Sequence, residues 1–240
     1  MKLQQLLSLT RKAIDDYQMI EDGDKIAVGV SGGKDSLALV YALKELQRFY
    51  PKKYELIAVS VDLGFGNIDF SKIQSYCDNL GVEFHVAKTD IADIVFNSRK
   101  EKSPCSLCAK MRKGALNTLV KELGCNKTAF GHHKDDIVNT MMMSMIYEGR
   151  FHTFSPITYL DRMQITLIRP FLYVEEADIK GFINKYQIEV LKNPCPVDGI
   201  TKRQYAKELV AQINRENPGA KNRMFTAIKD SNIKGWNTEV

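Results

Sequence analysis

The chain has 240 residues, 44% of them hydrophobic, with 34 Lys plus Arg against 29 Asp plus Glu, a net charge of +5. That allows one sizeable α/β domain, or one domain with an appendage, and supplies a full core. No run approaches the ~20 apolar residues of a membrane span, and Met1-Lys2-Leu3-Gln4-Gln5 lacks the features of a signal peptide, so a cytoplasmic chain with no membrane partner is expected. In that compartment the five cysteines read as metal ligands, reactive groups or core residues rather than disulfides.

Residues 3–17 carry apolar side chains at near-helical spacing and predict an amphipathic helix. A turn at 21–24 leads to a buried strand at 26–30. Next comes Ser31-Gly32-Gly33-Lys34-Asp35-Ser36, and then an apolar helical segment at 37–46. A Gly pair between a buried strand and a helix lets backbone N–H groups close on a phosphate, and the helix start adds donors and partial positive charge. Ser31 and Ser36 offer hydroxyls and Lys34 a point charge. Asp35 would repel phosphate unless a Mg2+ sits between them. The spacing is not that of a Walker A loop.

The chain continues with a buried strand at 56–61, a loop at 62–67, a helix at 69–80 stopped by Gly81, and a strand at 82–87. A long helix at 107–123 closes at Gly124. A fourth strand at 127–131, a helix at 135–147 and a fifth strand at 165–168, ended by Arg169-Pro170, complete the alternation. Beyond about 171 the pattern is helix, short strand, a turn around Pro194 and Pro196, then helix. The expectation is an α/β fold: a parallel five-stranded sheet flanked by helices, preceded by a helix at 1–20 and followed, after a domain at 21–172, by a small helical extension at 173–240. Ligands of such sheets bind at the carboxyl ends of the strands, where the Gly loop, the Asp62 loop and the His132 segment lie.

Cys105-Ser106-Leu107-Cys108 follows Pro104 and opens a helix, whose dipole favours thiolates. Alone it reads as half a zinc site, a redox dithiol or two ligands of an iron–sulfur cluster. Cys195, between Pro194 and Pro196, is a third candidate with no His nearby. Three thiolates without an obvious fourth suit a 4Fe-4S cluster with one open iron. Cys77 and Cys125 read as core residues, and Met141, Met142, Met143 and Met145 as core and gap filling. In Gly131-His132-His133-Lys134-Asp135-Asp136 the carboxylates are helix caps or partners of a nucleotide and Mg2+. Arg169 could pair a phosphate or Glu175. Basic residues flank the cysteines: Arg99-Lys100-Glu101-Lys102, then Lys110, Arg112 and Lys113, then Lys202-Arg203. Singly these read as solvated surface, and together as a face for a polyanion.

The run from Ser31 to Ser36 resembles the PP-loop of the ATP pyrophosphatases, which implies ATP cleaved between its α- and β-phosphates. The ordered set Gly-Asp-Lys-Ile-Ala-Val-Gly-Val-Ser-Gly-Gly-Lys-Asp-Ser, Cys-Ser-Leu-Cys-Ala-Lys-Met-Arg-Lys-Gly-Ala-Leu, Gly-His-His-Lys-Asp-Asp, Arg-Pro and Pro-Cys is similar, over most of the chain, to the tRNA 2-thiocytidine synthetase (TtcA-like) family. Where that family carries a second Cys-x-x-Cys, this chain has Cys195 and then Asp198. The resemblance implies an adenine nucleotide alpha hydrolase-like fold and a transferase that thiolates an anticodon-loop cytidine of tRNA, position 32, releasing AMP and pyrophosphate. It implies a 4Fe-4S cluster on Cys105, Cys108 and Cys195, ATP, and Mg2+. Nucleotide contacts fall on Ser31, Gly32, Gly33, Lys34, Asp35, Ser36, Val61, Gly131, Asp135 and Arg169, and catalysis on Asp35, Lys34 and Asp136. A cysteine desulfurase would donate the sulfur, and the chain could pair as a homodimer. Competing readings are a PP-loop thiolase or ligase for a small molecule or another RNA base, a persulfide on Cys105 or Cys108 in place of a cluster, and a non-catalytic ATP- and RNA-binding iron–sulfur sensor.

Overall fold

Alternation in the first strand sets the layering of the molecule. In β1 (Asp24–Gly29) Ile26 and Val28 enter one buried cluster while Ala27 enters another on the opposite face. The same division recurs in β2 (Tyr54–Asp62), where Ala58 goes one way and Ile57 and Val59 the other. A sheet buried on both faces needs helices on both, and the chain supplies them. The structure, a computed structural model, describes residues 1–66, 68–98, 104–191 and 202–236.

Six strands stand in the order β3-β2-β1-β4-β6-β5, with β3 at Glu83–Lys88, β4 at Lys127–Ala129, β5 at Ile157–Leu160 and β6 at Ile165–Ile168. Four pairings are parallel, and β5 runs antiparallel to β6 at the sheet edge. The five-strand expectation therefore misses one strand. Four residues at an edge, none fully buried, carry too little alternation to be read from sequence. The short strand expected after residue 171 is not formed among the described residues, where Ile168 ends the last strand.

One face is covered by α1 (Leu3–Asp16), α2 (Lys34–Leu46), α5 (Lys134–Glu148), α6 (Glu176–Lys185) and α8 (Ala220–Lys229), whose apolar residues form a single cluster from Leu6 to Trp236. The segments at 1–20, 21–172 and 173–240 thus share one core. The other face packs α4 (Pro104–Glu122) and a π-helical turn, Asp93–Ser98, through Leu116, Val120 and Val95. Helix α3 (Phe70–Leu80) is bounded as its sequence dictates: Asp69 accepts the Ser71 N–H at 3.1 Å, and Gly81 closes it at φ 62°. Helix α7 (Lys202–Glu216) packs against α5 and α8.

β1 lies between β2 and β4, so the chain leaves it on one side and later returns on the other. The loops after β1 and β4 therefore diverge at their carboxyl ends, and this switch point opens a crevice.

Candidate nucleotide and thiol site

The loop after β1 is held in shape before any ligand arrives. Val30 N–H donates to Val59 O at 2.7 Å, and the Ser60 hydroxyl donates to Val30 O, so the loop base continues the sheet. Ser36 Oγ accepts the Ser31 N–H at 3.2 Å and donates to Gly33 O at 2.9 Å, while Gly33 N–H reaches Ser31 Oγ at 3.3 Å. Gly32 sits at φ 76°, and a Cβ there would also lie 2.9 Å from Leu191, whose N–H donates to Gly32 O at 2.9 Å. Gly131, after β4, has a different task. A Cβ on it would stand 2.9 Å from the Asp35 backbone, so its lack of a side chain lets the start of α2 approach β4.

A groove of about 550 Å3 opens over this loop. Its apolar side is Val30, Val61, Leu63, Ile68 and Phe70; its polar side includes Ser31, Gly33, Lys34, Asp35, His133, Asp136 and Glu176. Lys34 Nζ lies 3.0 Å from Asp35 and 3.1 Å from Glu176. Glu176 also takes Lys207 at 2.8 Å and Lys180 at 3.3 Å. Burial opposes its charge, but Lys207 and Lys34 outweigh that and hold its carboxyl down at about 2. Burial likewise works against a charged Lys34, and Asp35 and Glu176 more than restore it, so its ammonium is held above the ordinary lysine range.

His133 Nε2 stands 3.4 Å from Asp136 and 3.8 Å from Asp35, and Nδ1 3.6 Å from Asp135. Burial disfavours the imidazolium, yet these carboxylates raise its pKa above the ordinary histidine value. Asp136 also accepts the His133 N–H at 3.1 Å across the first turn of α5. Among the described residues, Asp35 Oδ1 is a buried oxygen without a hydrogen-bond partner. A carboxylate oxygen left so beside a phosphate cradle fits a divalent cation that arrives with the nucleotide. No group of three His, Cys, Asp or Glu converges at metal-ligand geometry among the described residues. Mg2+ bound largely through phosphates and water needs none.

Not every expected residue reaches the groove. Asp135 stands behind it, accepting the Glu176 N–H at 2.7 Å and Lys221 Nζ at 2.7 Å. Those contacts hold its carboxyl far below the ordinary range although burial opposes them, and they fix Glu176 at the start of α6. Arg169 is buried away from the groove walls. Its Nη1 donates to Ser155 O at 2.5 Å and Thr158 Oγ1 at 3.1 Å, and burial lowers its pKa to about 10. It does not pair Glu175, which takes Lys134 and Lys221 instead.

Cys77 and Cys125 are buried as expected, and burial pushes the Cys77 thiol up to about 12. Cys105 is exposed and Cys108 half-buried in the first turns of α4. Positions 105, 108 and 112 share one helix face, and Arg112 lines the groove, so Cys108 sits one turn and Cys105 two turns along α4 from a groove residue. Two thiols on one face at a helix start fit two ligands of a cluster. Cys195, Asp198 and the basic run at 99–102 lie outside the described residues. The segment holding Cys195 is flanked by Leu191, on the loop, and by Arg203, in the groove.

The single basic face expected around the cysteines divides: Lys110 and Lys113 are exposed, Arg112 and Arg203 line the groove, and Lys202 lies 4.6 Å over the Tyr147 ring. Met141 is buried, whereas Met145 is exposed rather than core. Glu176, Asn139, Phe70 and Lys207 are groove residues that sequence reasoning passed over. They lack a motif, and only tertiary folding brings them there.

A doubly covered, mostly parallel sheet, a glycine-bearing loop after its central strand and a cation-rich groove at its switch point define a PP-loop protein. The PP-loop domain family matches residues 4–212. The tRNA-cytidine(32) 2-sulfurtransferase of Geobacter sulfurreducens is 40% identical over 90% of this chain and 86% of its own, and that of Syntrophotalea carbinolica 40% identical over 92% and 86%. The U34-tRNA thiolase NcsA from Methanococcus maripaludis, solved with its 4Fe-4S cluster, has the same fold: TM-score 0.76 at 23% identity, over 92% of this chain and 76% of that one. This chain belongs to the tRNA-cytidine(32) 2-sulfurtransferase family of PP-loop proteins. No helix among the described residues is long and apolar enough to cross a membrane.

Proposed function

We propose that the chain is an ATP-dependent transferase that replaces the C2 oxygen of cytidine 32 in the tRNA anticodon loop with sulfur, releasing AMP and pyrophosphate. The observation that carries this reading is a shared helix face. Cys105 and Cys108 lie on the face of α4 that reaches the nucleotide groove at Arg112. A reaction that needs both an activated nucleotide and a sulfur-handling centre requires them at one edge of the fold.

In this reading the phosphates rest on the loop from Ser31 to Ser36 and the adenine lies against Val61, Leu63 and Phe70. Asp35 and Asp136 would hold Mg2+, which screens phosphate charge when bound. The cytosine C2 oxygen attacks the α-phosphorus. A P–O bond forms, and the bond to the bridging oxygen breaks with its electron pair leaving on pyrophosphate. Lys34 and the start of α2 stabilise the developing charge. The C2 oxygen, now part of AMP, is a good leaving group. A sulfur nucleophile adds at C2, and the C–O bond breaks to free AMP. Cys105, Cys108 and Cys195 would hold the 4Fe-4S cluster, which when bound would supply a binding site for that sulfur. A cysteine desulfurase is the external donor. Exposed Lys110 and Lys113 beside the thiols would meet tRNA phosphates. A cytoplasmic homodimer belongs to the same proposal.

The test is mass spectrometry of nucleosides from tRNA incubated anaerobically with the reconstituted protein, ATP, Mg2+ and sulfide. The expected product is 2-thiocytidine at position 32, absent with Asp35→Ala at unchanged iron content. Thiolated uridine instead, or full activity in Asp35→Ala, would contradict the reading.

A further inference from the structure

Lys202 and Arg203 of α7, adjacent in a basic cluster expected to meet a polyanion, part company in the fold. Lys202 turns onto the Tyr147 ring, whereas Arg203, Gln204 and Lys207 line the groove. Positions 203 and 207 are one helical turn apart and share a face. Each is held by a carboxylate of the groove wall: Arg203 Nη1 is 3.5 Å from Asp136, and Lys207 Nζ 2.8 Å from Glu176.

The charges do not balance there. Glu176 takes three lysines at once, Lys34, which it shares with Asp35, together with Lys180 and Lys207. Around the groove the cations are Lys34, Arg112, Arg203 and Lys207 against Asp35, Asp136 and Glu176. If Mg2+ takes up Asp35 and Asp136, Arg203 loses its carboxylate partner and the cationic excess grows. The side chains of Arg203 and Lys207 are 48% and 43% exposed, so both can turn from carboxylate to ligand.

We propose that Arg203 and Lys207 are ligands of the β- and γ-phosphates and stabilise pyrophosphate as it leaves. The inference rests on reading the groove as the ATP site. When the α-phosphorus forms its bond to the attacking oxygen, the departing oxygen takes the electron pair, and the new charge falls on the pyrophosphate that these two cations hold. Arg203 supplies a planar fork and Lys207 a point charge. AMP has no β- or γ-phosphate, so its binding does not depend on them. Helix α7 thereby distinguishes a triphosphate from the product that remains after cleavage.

The test is equilibrium binding to the full-length protein with Mg2+ and no tRNA, using α,β-methylene-ATP, pyrophosphate and AMP as probes. Wild type should bind all three. Arg203→Gln with Lys207→Gln should weaken α,β-methylene-ATP and pyrophosphate at least about tenfold and leave AMP within about twofold. Lys180→Ala, which removes the Glu176 partner outside the groove, should leave all three near wild type. Unchanged triphosphate binding in the double variant, equal loss of AMP, or an equal loss in Lys180→Ala would overturn the inference. Wild type that binds no nucleotide would overturn the groove reading with it, whereas absent tRNA thiolation with these binding changes intact would reject only the tRNA assignment.

Discussion

Two adjacent histidines show how far a residue's chemistry depends on its surroundings. His132 stacks on Phe154 with ring centroids 4.6 Å apart, and burial, aided by the nearby Arg169, lowers its pKa to about 4. His133, one residue on, faces Asp35, Asp135 and Asp136 and is shifted upward. The consequences for stability have opposite sign. Between about pH 6.5 and 4 the unfolded chain binds a proton at position 132 that the folded chain refuses, so His132 makes stability fall as pH drops through that window. The contribution of His133 is present at low pH and is lost as pH rises through its folded pKa. Denaturant titrations from pH 7 to pH 4 should show wild type losing on the order of 2 to 4 kcal/mol more than His132→Asn. Parallel pH profiles for the two proteins would mean that position 132 does not carry the effect. Neither behaviour was legible in the sequence, which presents two identical side chains at a strand end. What separates them is the placement of aromatic and acidic neighbours far away in the chain.

Among the elements, those with strong local signals were readable. Helix α3 begins and ends where Asp69 and Gly81 dictate, and the loop from Ser31 to Ser36 announces its strand–turn–helix context. Strand β5 and the π-helical turn at Asp93–Ser98 were not, because neither carries a run long enough to show a period. Helix α4 carries the sharpest element-level expectation. Its exposed first turn bears Cys105, and Cys108 follows, whereas Cys77 on α3 is fully buried and its thiol is strongly disfavoured from ionising. Cys105→Ala and Cys108→Ala should each lose iron and thiolation activity after anaerobic reconstitution while keeping the wild-type melting temperature. Cys77→Ala should keep both iron and activity and lose about 1 kcal/mol of stability from the cavity it leaves. Stoichiometric zinc in place of iron, or iron retained in both α4 variants, would refute the cluster assignment. The basic residues teach the converse lesson. Lys202 and Arg203 are neighbours in sequence, but successive positions of a helix point about 100° apart, so one meets Tyr147 and the other the groove.

At the scale of the molecule, the fold converges three distant stretches on the edge where β1 and β4 part. The phosphate loop comes from residues 31–36, Arg112 from α4, one turn past Cys108, and the cations Arg203 and Lys207 from α7. The first two were legible because each carries a motif. The third was legible only as the basic pair Lys202-Arg203, and Lys207 not at all, since these cations reach the groove only through the packing of α7 against α5. The described residues on either side of 192–201, Leu191 bonded to Gly32 and Arg203 in the groove, also stand at this edge. This arrangement suits a single reaction in which the base oxygen is activated by ATP and then replaced by sulfur. The most direct measurement follows that oxygen. With tRNA carrying 18O at C2 of cytidine 32, one 18O should appear in the phosphate of each AMP released, matched by one 2-thiocytidine and one unlabelled pyrophosphate. Unlabelled AMP, or ADP and phosphate as products, would contradict activation of the base at the α-phosphorus.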